Sequence, residues 1–413
     1  MKRALEYLTY LFIFLLPFQT RWIISDPQIN GNVWEYGRLS IYSFDIVYIL
    51  ILSIFLILNF KSFKCIKYIK YILLAILFVV LNFIIADNKL INFYWLLRIF
   101  QGISLIWMFS KINFDKIKFI WTFVISTGLS ASLGIYQFLT QSSFASKWLG
   151  LAIHSASVAG QSVIETGGER WLRAYGTFPH PNILAGFLIV SLILSFYLYP
   201  RLKKIYQKNI LIILSLISST ALFFAFSRAA WVAFLVIVLY NIFFLKKKKI
   251  LPIVCLVLLT CLSVIYLPLI KTRVVGSERL EVKSNTERIS GYSQAFQIIK
   301  KHPLLGAGVG NYTVELQKTY SGQSAWDYQP VHNIYLLLLA ELGILNLLIL
   351  IFLMYPFVKK MFDSKLSYIF VFFFLFLFLF DHFLWTLGGG VLIWFLIVGF
   401  LSKKSTPGHN IQI

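Results

Sequence analysis

The sequence predicts an all-α polytopic membrane protein, a single domain over residues 1–413 with about twelve transmembrane helices. Three observations carry that expectation. The 413 residues are 59% hydrophobic with a mean hydropathy of +0.79. Only 13% are charged, where soluble domains carry about a quarter. Continuous apolar runs of helix-spanning length recur from end to end, whereas a β-barrel would alternate apolar and polar residues over short segments.

The runs follow in order. A first span over roughly 4–20, MKRALEYLTYLFIFLLPF, resembles a signal peptide but lacks a small-residue cleavage site, so a retained span is expected. A polar loop with Arg21, Trp22, Asp26, Trp34 and Arg38 leads to spans at roughly 41–60 and 69–86, joined by Lys61, Lys64, Lys67 and Lys70. The turn Asp87-Asn88-Lys89 opens a span at roughly 91–110, and Lys111, Lys116 and Lys118 precede one at roughly 119–140. A long loop, 141–180, ends in GGERWLRAYGTFPHPN. Spans at roughly 181–199 and 210–226 flank Arg201, Lys203, Lys204 and Lys208. The turn FSRAAW, a span at roughly 229–245, Lys246 to Lys249 and a span at roughly 250–269 come next. The largest polar loop, 270–331, is expected to contain short amphipathic helices. Spans at roughly 333–358, 366–383 and 389–402 finish the chain, with Lys359, Lys360 and Lys365 after the first and Lys403-Lys404 after the last.

Charge orients these spans. The net charge of +22 invites a nucleic-acid reading. Its placement argues against one, because more than half of the 38 Lys and Arg fall in short loops on one side. Those loops hold only Glu6, Asp115 and Asp363 of the 16 acids. The positive-inside rule then puts both termini in the cytoplasm and loops 141–180 and 270–331 on the outer face. Cys65, Cys255 and Cys261 lie in or beside apolar segments and read as small buried hydrophobes without a disulfide framework.

The candidate chemistry lies on that outer side. His332 stands where a polar loop turns into an apolar helix, and imidazole accepts a proton near neutral pH. Asn333 follows it, and Gly343 should return to the same helical face about three turns on. Gly343 would permit close approach of another helix or a lipid chain. Glu341, near the opposite face, is expected to find its own polar partner in the bundle. Arg228, between two apolar runs, either snorkels to headgroups or faces a water-filled cavity. In the segment 285–306, Ile289, Tyr292, Phe296 and Ile299 recur at helical spacing with Thr286 as N-cap. Arg288 would then sit in the first turn against the helix dipole, which an anionic ligand would explain. The alternative is one exposed arginine among several, such as Arg273 and Arg279. Arg170, Arg173, His180 and Asn182 stand before the sixth span, either as helix-start chemistry or as ligand contacts. Asp381, His382 and Trp385 form a last polar cluster, although neighbours in sequence on a helix do not face each other. The glycines of GAGVGNY, 306–312, follow no strand and read as a flexible turn. No metal-ligand spacing and no phosphate-binding P-loop are visible, so no metal or nucleotide cofactor is expected.

At these residues the sequence resembles the O-antigen ligase and O-antigen polymerase superfamily of bacterial envelopes. The matching pieces are RAYGTFPHPNILAG, FSRAAW, ERISGYSQAFQIIKKHPLLGAGVGNY and HNIYLLLLAELGIL, within about 170–350. The resemblance implies a metal-independent glycosyltransferase of the inner membrane, moving an oligosaccharide from undecaprenyl diphosphate to an acceptor hydroxyl on the outer face. It implies an essential His332, with Arg288 and Arg228 bearing on the diphosphate. Arg173, Arg170, His180, Asn182, Asn333, Gly343 and Arg279 are the wider candidates for substrate contact. The superfamily includes ligases, polymerases and protein-glycosylating enzymes. A non-catalytic polysaccharide transporter is the rival reading, but it would carry charges in mid-span and broken helices in repeated halves. Arg98 and Glu341 are the chief charges that look buried.

Overall fold

The computed structural model describes residues 1–59, 69–244, 249–362 and 365–403. Cys65, Lys61, Lys64, Lys67, Lys246 to Lys248, Asp363 and Lys404 lie outside the described residues. The chain opens with α1 (Lys2–Leu15) and a loop holding β1 (Arg21–Ser25), β2 (Gln28–Ile29), β3 (Asn32–Val33) and β4 (Leu39–Tyr42). Then come α2 (Ser43–Asn59), α3 (Ile69–Ile85), α4 (Lys89–Lys111) and α5 (Lys116–Thr140). A hairpin of β5 (Val163–Thr166) and β6 (Glu169–Leu172) precedes α6 (Pro181–Leu198), α7 (Ile205–Phe224), α8 (Arg228–Phe244) and α9 (Ile250–Ile265). The polar segment carries α10 (Leu267–Val275), α11 (Arg279–Lys301) and α12 (Tyr312–Thr319). The chain finishes with α13 (Ile334–Met361), α14 (Lys365–Phe378), α15 (Phe383–Thr386) and α16 (Gly388–Ser402).

The all-α class holds, with small antiparallel pairs added in the loops: β1 with β4, β2 with β3, and β5 with β6. The span count is smaller by length and composition. Among the described residues five helices, α4, α5, α6 with its 3₁₀ end, α7 and α13, are long and apolar enough to cross a membrane, and a bent pair makes six. That pair is α9 with α10–α11, which turn through 92°. Pro268 sits at the start of α10, where its missing N–H costs nothing. The other apolar helices, such as α2, α3 and α16, have 15 to 17 residues, fewer than the roughly 20 that span a bilayer straight.

Uniformly apolar α6 is the buried core helix, packed by α5, α7, α8 and α14. A helix apolar all round belongs inside a bundle. The helix α16 plays the same part beside α4 and α13. Gly102 on α4 admits the ring of Phe395, and Gly399 on α16 admits the backbone at Ile106, so the two helices approach closely. Asp115 caps α5 by accepting from the Ile117 N–H at 2.7 Å.

One buried ion pair ties α2 to α4. The Arg98 guanidinium forks onto the Asp45 carboxylate, with Nη2 to Oδ2 at 2.8 Å and a second contact from Nη1 to Oδ1. Gln101 donates to the same carboxylate at 2.9 Å, and Ser40 O accepts from Arg98 at 3.1 Å. Asp45→Ala is expected to destabilise the protein by about 3–5 kcal/mol, because it leaves a buried guanidinium uncompensated. Thermal unfolding of the purified protein checks this. The double change Asp45→Leu with Arg98→Leu should recover much of the loss.

Hydrogen bonds join the loops at one end of the bundle. Thr177 donates to Pro17 O at 2.7 Å, Thr20 to Trp148 O at 2.6 Å and Asn30 to Gln323 O at 3.1 Å. The Ala174 N–H donates to Phe224 O at 2.9 Å. The helices of the polar segment 270–331 are not all short: α11 has 23 residues. It begins at Arg279 with Glu278 as N-cap, and Thr286 bonds back to Val282 O at 3.0 Å. Arg288 is therefore mid-helix, and the N-terminal dipole argument for it falls.

Candidate active site

The site is built on the start of α13. Asn333 caps the helix, its side chain accepting from the Leu336 N–H at 3.1 Å, and so fixes the residue just before it, His332, at the helix mouth. The His332 ring lies 4.9 Å from the ring of His382, centroid to centroid. Its Nδ1 is buried without a hydrogen-bond partner among the described residues. His382 Nδ1 pairs with Thr386 Oγ1 at 2.7 Å.

A polar chain runs inward from these histidines. Asp381 accepts the His382 N–H on Oδ1 at 2.8 Å and the Asn182 amide on Oδ2 at 2.9 Å. Asn182 Oδ1 in turn accepts from Arg173 Nη2 at 2.8 Å, and Arg173 Nε donates to Ala225 O at 2.8 Å. His180 caps α6, its Nδ1 accepting the Asn182 N–H at 3.2 Å. Three separate stretches of chain thus meet around one carboxylate.

Burial sets the protonation of this group. It pushes His332 below the ordinary histidine value; Asp381 opposes that shift and Arg288 adds to it. Burial also takes His180 and His382 down to about 3, with Arg173 acting further on His180 and His332 on His382. Burial alone would raise Asp381, but the neighbouring histidines and the Asn182 amide outweigh it and hold the carboxyl below its usual range. The resulting site has an ionised Asp381 facing imidazoles that favour the neutral, proton-accepting form.

An arginine group adjoins it. Phe226 adopts a left-handed backbone, φ 46°, and its carbonyl accepts from Arg273 at 2.9 and 3.2 Å. Arg273 also pairs tightly with buried Glu281. Arg228, at the first residue of α8, is held loosely: 3.4 Å to Arg273 O, 3.3 Å to Asn285 Oδ1 and 3.6 Å to Glu281 Oε2. Arg288 is half-buried on α11, close enough to disfavour protonation of His332 and His382. Burial pushes Arg173 down to about 9, and the charges of Arg273 and Arg288 push the same way. Arg173, Arg228 and Arg273 lie around Glu281, and Arg288 acts on Arg173 and Arg273, so cationic groups outnumber that carboxylate.

The helix α13 is broken at Gly343, with φ 60° and ψ −175°. The expectation that Gly343 shares a continuous helical face with His332 is therefore corrected. What approaches Gly343 is the backbone of Leu304 and Gly306. The N–H groups of Ile344 and Leu345 donate to Pro303 O and Leu304 O at 3.0 and 2.9 Å. Ala307 and Gly308 donate to Ala340 O and Glu341 O at 2.9 and 2.8 Å. The glycine segment expected to be a flexible turn is instead buried and held. Asn82 accepts from Val309 N–H at 3.2 Å, and Asn92 donates to Val309 O at 3.0 Å.

Among the residues marked from sequence, Arg173, His180, Asn182 and His332 come together, with Arg228 and Arg288 in the adjoining group. Arg170 instead donates to Ser157 O and Val158 O, both at 3.2 Å, and Arg279 pairs with Glu165 at 3.1 Å. Both brace the β5–β6 hairpin. Glu341 finds the polar partner expected of it, the Trp385 indole N–H at 2.7 Å. Arg273, which the sequence offers as one exposed arginine among several, pairs with buried Glu281, and nothing in their local sequence marks that pair. His332, Asp381 and His382 offer three possible metal ligands within 4.8 Å of one another, a grouping hidden from sequence by the distance between His332 and the other two. Arg288 bears on both histidines, and Asn182 links Arg173 to the Asp381 carboxylate.

The bundle and its polar end define a polytopic helical protein with the features of a membrane protein and a histidine–carboxylate centre beside a cluster of arginines. Residues 213–351 match the family model described as O-antigen ligase. That match covers about a third of the chain and supports a likeness to the O-antigen ligase and polymerase superfamily. It contains Arg228, Arg273, Glu281, Arg288, His332 and Gly343. No curated protein matches the chain.

Proposed function

We propose that the protein transfers an oligosaccharide or polysaccharide from undecaprenyl diphosphate to an acceptor hydroxyl at the outer face of the bacterial inner membrane. The observation that carries this reading is the juxtaposition of His332, backed by Asp381, with the loosely held Arg228 and half-buried Arg288. A neutral imidazole takes the acceptor proton as the oxygen bonds to the anomeric carbon. The carbon–phosphate oxygen bond breaks, its electron pair leaves on the diphosphate, and configuration inverts. Arg228 and Arg288 neutralise the charge that develops on the leaving group, which supplies without a metal what a divalent ion would otherwise supply. The positive-inside pattern supports cytoplasmic termini and an outer site. All twelve apolar runs coincide with helices, which supports a count near twelve in a bilayer that adapts to short spans.

Arg228→Ala and Arg288→Ala are each expected to lower transfer by about 10²–10³-fold. Arg228→Lys should recover only part, since a point charge does not fork onto phosphate. Surface polysaccharide on a gel from the native host, beside membrane expression of each variant, reads the result. Complete polymer retained on lipid means that ligation was lost, and single repeat units mean that polymerisation was lost. Wild-type glycan in both alanine variants overturns the assignment.

A further inference from the structure

The turn between α14 and α15 sets Asp381 and His382 against His332 at the mouth of α13. One ligand atom from each of the three lies within 4.8 Å of the other two. Two imidazoles and a carboxylate are a donor set that Zn²⁺ takes in sites with an open fourth position. Mg²⁺ and Ca²⁺ need oxygen ligands throughout, which one carboxylate does not supply. Ligands of one tetrahedral Zn²⁺ stand about 3.4 Å apart, given bonds of about 2.0–2.1 Å. The cluster therefore has to close by no more than about 1.4 Å. The His332 ring is able to supply that movement, because its buried Nδ1 is tied to no hydrogen-bond partner among the described residues.

The other two ligands are already oriented from behind. The Thr386 hydroxyl donates to the His382 carbonyl at 3.2 Å, so its oxygen accepts the ring Nδ1–H at 2.7 Å. That bond fixes the tautomer and leaves the His382 lone pair on Nε2. Asp381 Oδ2 accepts only the Asn182 amide, at 2.9 Å, and keeps a lone pair, while Arg173 holds Asn182 at 2.8 Å. Supporting bonds of this kind position the ligands of metal sites. The charge of Arg288 bears on both histidines and weakens the hold of any cation, so the ion would be exchangeable. We propose that His332, Asp381 and His382 bind Zn²⁺ reversibly, and that the ion holds the enzyme off by taking the His332 lone pair. The binding stands on these three residues alone. The inhibition rests on the transferase reading, in which that lone pair accepts the acceptor's proton.

The test uses the full chain in nanodiscs, with Zn²⁺ followed by calorimetry and Co²⁺ by its visible absorption. One equivalent of Zn²⁺ is expected to bind and to displace Co²⁺, and excess Mg²⁺ should not compete. His332→Ala and His382→Ala should each weaken binding by at least about a hundredfold, and Thr386→Val, which touches no ligand atom, by about tenfold. His154→Ala and His302→Ala should bind as the wild type does. Thermal unfolding beside each titration identifies a variant that fails to fold, and Thr386→Val then carries the test. No Zn²⁺ bound by the wild type, or equal binding by the folded variants at His332, His382 and Thr386, overturns the site. Sugar transfer in membrane vesicles should stop when Zn²⁺ is added and return with a chelator. Zn²⁺ bound at these residues while transfer continues undiminished would leave the site standing and overturn His332 as the base.

Discussion

His332→Ala is expected to abolish detectable transfer, a loss of at least about 10²–10⁴-fold, the range that general acid–base groups contribute. The ring is not needed for folding: its Nδ1 has no partner among the described residues, and Asn333, not His332, caps α13. Membrane expression should therefore stay at the wild-type level while glycan disappears. The pH profile gives a second, independent reading. Burial holds His332 below the ordinary value of 6.5, so the neutral base predominates at pH 7. Activity should fall only on the acid side, as pH drops through that lowered value. Asp381 raises the histidine and Arg288 lowers it. Asp381→Asn should thus move the acid limb to lower pH, and Arg288→Ala should move what activity remains to higher pH. Rate against pH in membrane vesicles measures both, and limbs that move together would exclude His332 as the titrating base.

Gly343→Ala is expected to be among the most damaging single-methyl additions to the protein. Its backbone, φ 60° and ψ −175°, lies in a region that is essentially glycine-only. A Cβ there would stand 2.5 Å from Leu304 C and O and from Gly306 N, and backbone cannot swing aside as a side chain can. Strain and overpacking together cost about 2–6 kcal/mol. The segment 303–308 would lose its hydrogen bonds to α13, and with it the anchoring of α12 and Tyr312. Protein level in membranes and thermal unfolding of the purified variant should both drop. A variant with wild-type stability would show that the break in α13 is dispensable.

The site was legible in part from sequence. His332, Arg228 and Arg288 stood out because each breaks an apolar or helical pattern. The apolar runs coincide with helices, since continuous hydrophobicity needs no knowledge of partners. Gly343 was misread because helical periodicity assumes an unbroken ladder, and only the incoming backbone of Leu304 shows why the ladder breaks. Arg170 shares residue type and loop with Arg173, and Arg279 shares residue type alone, but Arg170 on β6 bonds to the Ser157 and Val158 carbonyls and Arg279 to Glu165 on β5. Asp381 was discounted because sequence neighbours on a helix diverge. It lies in a non-helical turn, where its carboxylate reaches Asn182 from α6. Pairings of this kind, like Arg273 with Glu281, are set by tertiary packing and leave no local spacing to find.

The Asp45–Arg98 pair also bears on how the chain enters the membrane during synthesis. The helix α4 has the lowest mean hydropathy of the long spans, 1.3 against 2.7 for α13. A lone arginine adds about 2.5–3.5 kcal/mol to the insertion of such a segment. Translation delivers α2, and with it Asp45, before the ribosome reaches Arg98, so the counter-ion is already waiting when the weakest span leaves the translocon. Chain order thus acts as an assembly instruction. Exchanging the two charges would preserve the pair in the finished bundle, yet place the arginine in the membrane first, with its acid still unsynthesised.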